Sequence, residues 1–132
     1  MHDVYVTFRE CGWAAWLCLL VAFPAFAAGV IGLVLLATKA ARGASVAGAV
    51  AMALGVFALG VGIFGRQTGL ARVEAATSSE AVDPAQRARI RAEGAREASG
   101  CVDVGAVAGG FPFVLGALAV AVGLATRERA SR

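Results

Sequence analysis

The chain has 132 residues, of which 59% are hydrophobic and 16% charged, and its formal net charge is +3. A mean hydropathy of +0.76 lies outside the range of ordinary soluble domains and indicates an integral membrane protein. The net charge is small and divided between the two ends of the apolar segments, which excludes a strongly basic nucleic-acid-binding protein. We expect a single membrane domain over residues 1–132, surrounded by the lipid bilayer.

Three long apolar blocks organise the sequence. They cover Trp13–Ala37, Ala44–Gly65 and Val104–Ala125, and none of them contains a charged residue. About 20 apolar residues suffice for a helix to cross the hydrocarbon core, whereas the strands of a membrane barrel are shorter and alternate in polarity. Backbone amides in hydrocarbon must be paired within their own segment, so each block should be a helix. The sequence therefore predicts an all-α membrane protein with three transmembrane helices.

The first block has a rival interpretation as a signal peptide. Its Ala-Phe-Ala stretch at 25–27 resembles a small-residue cleavage site that follows an apolar run. However, Asp3, Arg9 and Glu10 precede the block in place of a basic cluster, and the apolar run continues beyond the site. We expect an uncleaved helix with a kink at Pro24, where the helix lacks one backbone donor.

A polar linker, residues 66–103, separates the second and third blocks. Asp83 followed by Pro84 is typical of a helix start, with a capping carboxylate before proline at the first helical position. The sequence predicts one helix from about Pro84 to Ala125, which projects from the membrane before entering it. The segment 75–82 is predicted to be the turn. Because Ile90 is the only large apolar residue in the projecting part, we expect no soluble core there.

The basic residues of the short segments predict the orientation. Lys39 and Arg42 lie in the loop between the first two blocks, and Arg127, Arg129 and Arg132 follow the third. Basic residues in short loops favour the cytoplasmic side. The other side carries more basic residues, but they are spread over a much longer stretch that also contains most of the acids. We therefore expect the N-terminus outside and the C-terminus in the cytoplasm.

Glycines occur mainly inside the apolar blocks. Small residues four apart allow membrane helices to approach closely, because lipid tails give large side chains no advantage at the contact. Such pairs also arise by chance in a chain with 17 glycines, so a random origin stays open. The thin bundle that results is expected to self-associate. The predicted packing residues are Gly62, Gly65, Gly69, Gly105 and Gly109.

Catalytic chemistry has no support in the sequence. The single histidine, His2, is next to the N-terminus, and no His/Cys/Asp spacing suggests a metal site or a catalytic triad. We expect no enzymatic activity and no cofactor.

Cys11 and Cys101 should both lie near the outer membrane surface, where an oxidising compartment would permit a disulfide. Small buried thiols are the alternative.

Three short segments resemble one family. Residues 62–70 (GIFGRQTGL) close the second block and are similar to the G-L-F-G-T-V-x-G-I pattern of the MotA/TolQ/ExbB proton-channel family. Residues 93–98 (EGAREA) and 110–113 (GFPF) resemble later segments of that family in the same order. The resemblance spans roughly residues 54–116. It implies a homopentameric ring in a bacterial inner membrane, around a pair of single-span partner helices, with transport of protons through the ring.

The departures from the family pattern change that expectation. The family's pore threonine in the first segment falls on Arg66, and a second one falls on Val102. A permanent cation and an isopropyl group replace hydroxyls that would line the proton path. The large cytoplasmic domain usual between the first two spans is also missing. The chain thus resembles a short, divergent member that holds a partner with little proton conduction, and the alternative is a non-conducting oligomeric scaffold.

Four polar residues are candidates for lining a pore or forming an ion pair. Glu97 matches the family's glutamate and is expected to face the ring axis and to pair with Arg66 on the adjoining helix. Thr68 is a further candidate for lining the pore, and Asp103 should point away from Glu97. In the alternative interpretation, Glu97 and Arg66 are solvated residues just outside the membrane.

Overall fold

The computed structural model describes residue 5, residues 11–78 and residues 83–130. It contains three helices: α1 (Trp13–Ala37), α2 (Ala41–Thr77) and α3 (Pro84–Ala130). All three are long and apolar enough to cross a membrane, and the described part of the chain has no strand. The prediction of an all-α protein with three membrane-spanning helices, the last one extended, is confirmed.

The start of α3 follows the predicted capping signal. The carbonyl of Asp83 accepts hydrogen bonds from the amides of Gln86 and Arg87, each 3.0 Å long. Pro84 is the first helical residue, where its missing amide proton costs nothing. The helix runs on past Ala125 to Ala130, and it contains Pro112. α1 has its predicted bounds and is continuous through Pro24.

The predicted turn at 75–82 is wrong for its first residues. α2 continues from the membrane through the polar sequence as far as Thr77. The Thr77 hydroxyl donates a hydrogen bond to the Val73 carbonyl of the same helix (2.9 Å). Most of the stretch 66–103 is therefore helix and not linker. The rest of the predicted turn, residues 79–82, lies outside the described residues.

The connection between α1 and α2 is a tight helix C-terminal motif. The amide of Lys39 donates to the Leu36 carbonyl (3.1 Å), and the amide of Ala40 donates to the Leu35 carbonyl (2.9 Å). This pair of bonds is the Schellman arrangement, which needs a left-handed residue at the position of Lys39. Lys39 has a φ of 60°, although glycine is the usual residue there. The chain thereby reverses direction in three residues, 38–40.

The core consists almost entirely of small residues. On α2 the buried positions recur at alternating intervals of four and three residues, which is the spacing of a coiled-coil seam. Large side chains point outward instead; Phe23 and Phe111, for example, are about 70% exposed. This arrangement suits a bilayer, where small residues let helices approach and acyl chains solvate the large ones. The α2 seam comprises Ala44, Gly48, Ala51, Gly55, Ala58, Gly62 and Gly65.

Backbone-to-backbone contacts join α2 and α3 along this seam. A Cβ placed on Gly55 would lie 2.6 Å from the carbonyl oxygen of Gly109, and one placed on Gly48 would lie 2.6 Å from that of Gly116. No side chain fits in either gap without displacing backbone. α1 lies against both helices, since Gly29 contacts Leu115 of α3 and Ala51 of α2. The three helices thus form one bundle with no space for a large side chain along its axis.

Candidate functional site

A disulfide marks one end of the bundle. Cys11, just before α1, is bonded to Cys101 of α3; their Cα atoms are 5.2 Å apart and 90 residues separate them in sequence. Both residues are buried. Of the two interpretations that the sequence allowed, the structure has the disulfide. We call this the disulfide end, and we call the opposite end, with residues 38–40, the loop end.

The three helices meet at the disulfide end. A Cβ on Gly65 would lie 2.9 Å from the Cβ of Ala14 and 3.4 Å from that of Cys101, so α2 touches both disulfide-linked segments there. Beside this contact, the rings of Trp13 and Phe64 meet edge to face with their centroids 6.2 Å apart. Tryptophan is enriched at the boundary between hydrocarbon and head groups. The disulfide end is therefore suited to the membrane surface.

Arg66 and Glu97 do not pair with each other within the chain. Both side chains are exposed, and no ion pair joins them among the described residues. The reason lies in their neighbours: Gly65 and Ala98 occupy the buried seam, and adjacent residues on a helix are turned by about 100°. The predicted Arg66–Glu97 pair is thus wrong for a single chain.

The other polar candidates are also placed away from the bundle interior. The Thr68 hydroxyl donates to the Gly65 carbonyl of its own helix (2.9 Å). Asp103 is exposed at the side of α3. No group of three His, Cys, Asp or Glu side chains that would suit a metal ion occurs among the described residues. These residues do not converge on a common point inside the chain.

The five glycines proposed for packing all lie at helix contacts. Gly62 faces Gly105, with a Cβ on Gly62 falling 3.0 Å from the Gly105 Cα. Gly109 faces Gly55, and Gly69 faces Ala98, whose Cβ would be 3.2 Å from a Cβ on Gly69. The structure adds Gly48 and Gly116, which continue the same contact toward the loop end.

Beyond the disulfide end, α2 and α3 continue side by side as a polar helical hairpin, residues 66–77 and 84–100. Its inner face has small residues: Gly69 packs on Ala98, and Gly94 lies directly against Val73. Ile90, the only large apolar residue of the α3 part, is 42% exposed and does not form the contact, whereas Leu70 and Val73 of the α2 part are half-buried. The hairpin therefore also packs through glycines, but these receive a side chain of the facing helix, whereas in the membrane part backbone meets backbone.

A buried threonine links the two helices at the end of the hairpin farthest from the disulfide. Thr77 is only 1% exposed, and its hydroxyl oxygen accepts a hydrogen bond of 3.2 Å from Nε of Arg91. Arg91 also lies 3.8 Å from the carboxylate of Glu74, in a pair whose side chains are mostly exposed. The sequence interpretation missed Thr77 and Arg91. The available signal was the spacing of Gly65, Gly69, Val73 and Thr77, which repeats every four residues.

The outer surface of the hairpin carries charges of both signs. A shallow depression of about 290 Å³ between the two helices is lined by Val73, Arg89, Ile90, Glu93, Gly94 and Glu97. Charged rims around a small apolar floor are typical of contact surfaces between proteins.

The fold and its composition define a multi-pass membrane protein with three spanning helices. No protein-family model, curated protein or solved structure matches the chain.

Proposed function

We propose that the protein is a non-conducting structural protein of a bacterial inner membrane, which presents its polar hairpin to a partner. The observation that carries the proposal is the small-residue seam, in which glycine backbones touch across the whole membrane part. Such packing leaves no room for the water or the polar side chains that ion movement requires.

The side chains of the spans support the same view. The segments 13–37, 44–65 and 104–125 contain no Asp, Glu, Lys or Arg. The free thiol of Cys18 donates a hydrogen bond to the Ala58 carbonyl of α2. Proton-conducting membrane proteins place ionisable side chains along the path. In this chain, Arg66 and Glu97 lie outside the three spans, in the hairpin next to the disulfide end.

The orientation follows from two independent features. Disulfides persist in oxidising compartments, which favours the disulfide end outside the cytoplasm. Lys39, Arg42, Arg127 and Arg129 lie at the loop end, and short basic segments favour the cytoplasmic side. Both features support an orientation with the N-terminus and the hairpin outside and the C-terminus in the cytoplasm.

A proton-flux measurement tests the proposal. Purified protein is reconstituted into liposomes that contain a pH-sensitive dye, and a potassium gradient with valinomycin drives protons inward. We expect the wild type to match protein-free liposomes. The double variant Arg66→Thr/Val102→Thr, which restores the two hydroxyls of the family pattern, is the comparison and should also be silent. Flux through the wild type above the protein-free rate would contradict the proposal.

A stator-like oligomeric ring is the second candidate. It is favoured by the exposure of Arg66 and Glu97, which keeps both side chains available to a neighbouring copy, and by the resemblance of residues 62–70 to the proton-channel family. In this case the Arg66–Glu97 pair joins two copies, and the ring, a pentamer by analogy, holds a single-span partner.

Native mass spectrometry tests the second candidate. A ring held by the pair between copies predicts that Glu97→Gln shifts the protein toward monomer, because the guanidinium loses its anionic partner at the membrane edge. Glu74→Gln is the control, since Glu74 is a mostly exposed carboxylate of the hairpin that lies outside the depression containing Glu97. Equal oligomer distributions for Glu97→Gln and the control would remove this candidate.

A further inference from the structure

We propose that the loop end contains a binding site for an anionic phospholipid head group. A cavity of about 370 Å³ lies between the α1–α2 turn and the last part of α3, and its lining residues are Leu36, Lys39, Ala41, Thr126 and Arg127. This site is separate from the hairpin; the choice of a lipid as its ligand rests on the orientation proposed above, with the loop end at the cytoplasmic surface.

The charges around the cavity select an anion. Lys39 and Arg127 form no ion pair among the described residues, so no acid of that part of the chain neutralises either side chain. The only acid in the segments that form the loop end is Glu128, which is next to Arg127 on α3 and so is turned about 100° away from it. An ammonium and a guanidinium at one cavity complement the oxygens of a phosphate.

The backbone adds to this charge. α2 begins at Ala41, which lines the cavity, and no side chain caps its N-terminus. The first turn of a helix carries unpaired amides and a partial positive charge. Thr126 already donates its hydroxyl to the Val122 carbonyl (2.9 Å), so Lys39, Arg127 and the amides are the donors that remain for a ligand.

The position of the cavity identifies the ligand as a lipid and not a free anion. Leu36 and Ala41 supply apolar walls, and the apolar parts of α1 and α3 begin directly below. Basic cavities between membrane helices at the cytoplasmic surface suit anionic head groups, whose acyl chains stay in the bilayer. A phosphatidylglycerol-type phosphodiester meets all these conditions.

The turn holds Lys39 in place at a conformational cost. Lys39 has the positive φ for which glycine is the favoured residue. Replacing Lys39 by glycine therefore removes the ammonium and suits the backbone, which separates loss of the ligand from loss of the fold.

The test measures lipid retention by native mass spectrometry, with phosphatidylglycerol and phosphatidylcholine as the probes. We expect the wild type to retain one phosphatidylglycerol in preference to phosphatidylcholine. A lysine or arginine near an anionic lipid is worth about fivefold in affinity, so Lys39→Gly/Arg127→Gln should weaken retention roughly 25-fold. Arg42→Gln/Arg129→Gln, which removes two exposed cations of the loop end outside the cavity, should change retention less than about twofold, because their charges are screened by solvent.

Three results would overturn the proposal. Equal losses in the two double variants would indicate diffuse attraction without a site. Equal retention of the two lipids would exclude recognition of charge. Displacement of phosphatidylglycerol by millimolar inorganic phosphate would identify a site for a free anion.

Discussion

The membrane part of the α2–α3 pair and its polar hairpin are two stretches of the same two helices in different solvents. In the membrane part, Gly55 touches Gly109 and the outer surfaces are large and apolar; in the hairpin, Gly94 touches Val73 and the outer surfaces are charged. Glycines supply the close contact in both parts, but in the membrane part they meet backbone and in the hairpin Gly94 meets a valine side chain. The comparison shows that the surroundings determine the outward residues, while glycine lets the two helices approach in both parts.

The two parts differ in what stabilises them. A helical pair in water normally depends on buried large side chains, at about 0.8 kcal/mol per CH₂ group removed from water. The hairpin buries mainly Gly69, Ala98 and Thr77, which offer few such groups. We infer that its stability depends on the rigid membrane part below it and on the disulfide at the junction.

Loss of the disulfide is expected to lower the free energy of unfolding more than any other change. Cys11→Ser should lower the free energy of unfolding by about 2–5 kcal/mol, because the bond closes a long loop and restricts the unfolded chain. Circular dichroism during thermal unfolding in detergent measures the change, and non-reducing electrophoresis reports the bond itself. Cys18→Ser is the matched control and should cost less, since Cys18 is a free thiol. Identical unfolding of Cys11→Ser and the wild type would show that the bond between the start of α1 and α3 does not stabilise the fold.

A substitution in the glycine seam is expected to have the next largest effect on the free energy of unfolding. Gly55→Ala adds one methyl group where a Cβ would lie 2.6 Å from the Gly109 carbonyl oxygen, and it should cost about 1–3 kcal/mol through displaced backbone. Gly60→Ala, on the same helix, meets no atom within 4 Å and should be neutral or stabilising by up to about 1 kcal/mol through helix propensity. Thermal unfolding compares the two. Effects of equal sign would contradict close backbone packing in the membrane part.

The hairpin offers a smaller effect. Thr77→Val removes the acceptor of Arg91 and should cost about 0.5–1.5 kcal/mol, expressed as faster hydrogen exchange of the hairpin amides with the membrane part unchanged. Glu74→Gln is the control, because the exposed Arg91–Glu74 pair should contribute at most about 0.5 kcal/mol. Slower exchange in Thr77→Val, or a larger change in Glu74→Gln, would assign the hairpin's stability to surface charge.

Much of the fold was accessible from the sequence. Uninterrupted apolar runs gave the bounds of α1, and Asp83-Pro84 gave the start of α3, because both signals are local. The end of α2 was missed, since hydroxyl residues such as Thr77 favour turns unless a tertiary contact buries them. Pairing across helices was also beyond the sequence: Arg66 and Glu97 have complementary charges, but the rotation of each residue away from the seam decides whether they meet.

The reactivity of Cys18 tests the central claim of a dry, closely packed core most directly. Cys18 of α1 is 1% exposed and faces Ala58 of the α2 seam, and it is the one free thiol because the other two cysteines are bonded to each other. Folded protein in liposomes is treated with membrane-permeant N-ethylmaleimide and analysed by mass spectrometry, with protein unfolded in dodecyl sulfate as the positive control. We expect labelling only after unfolding. Rapid labelling of Cys18 in the folded protein would reveal a hydrated path through the bundle and contradict the claim.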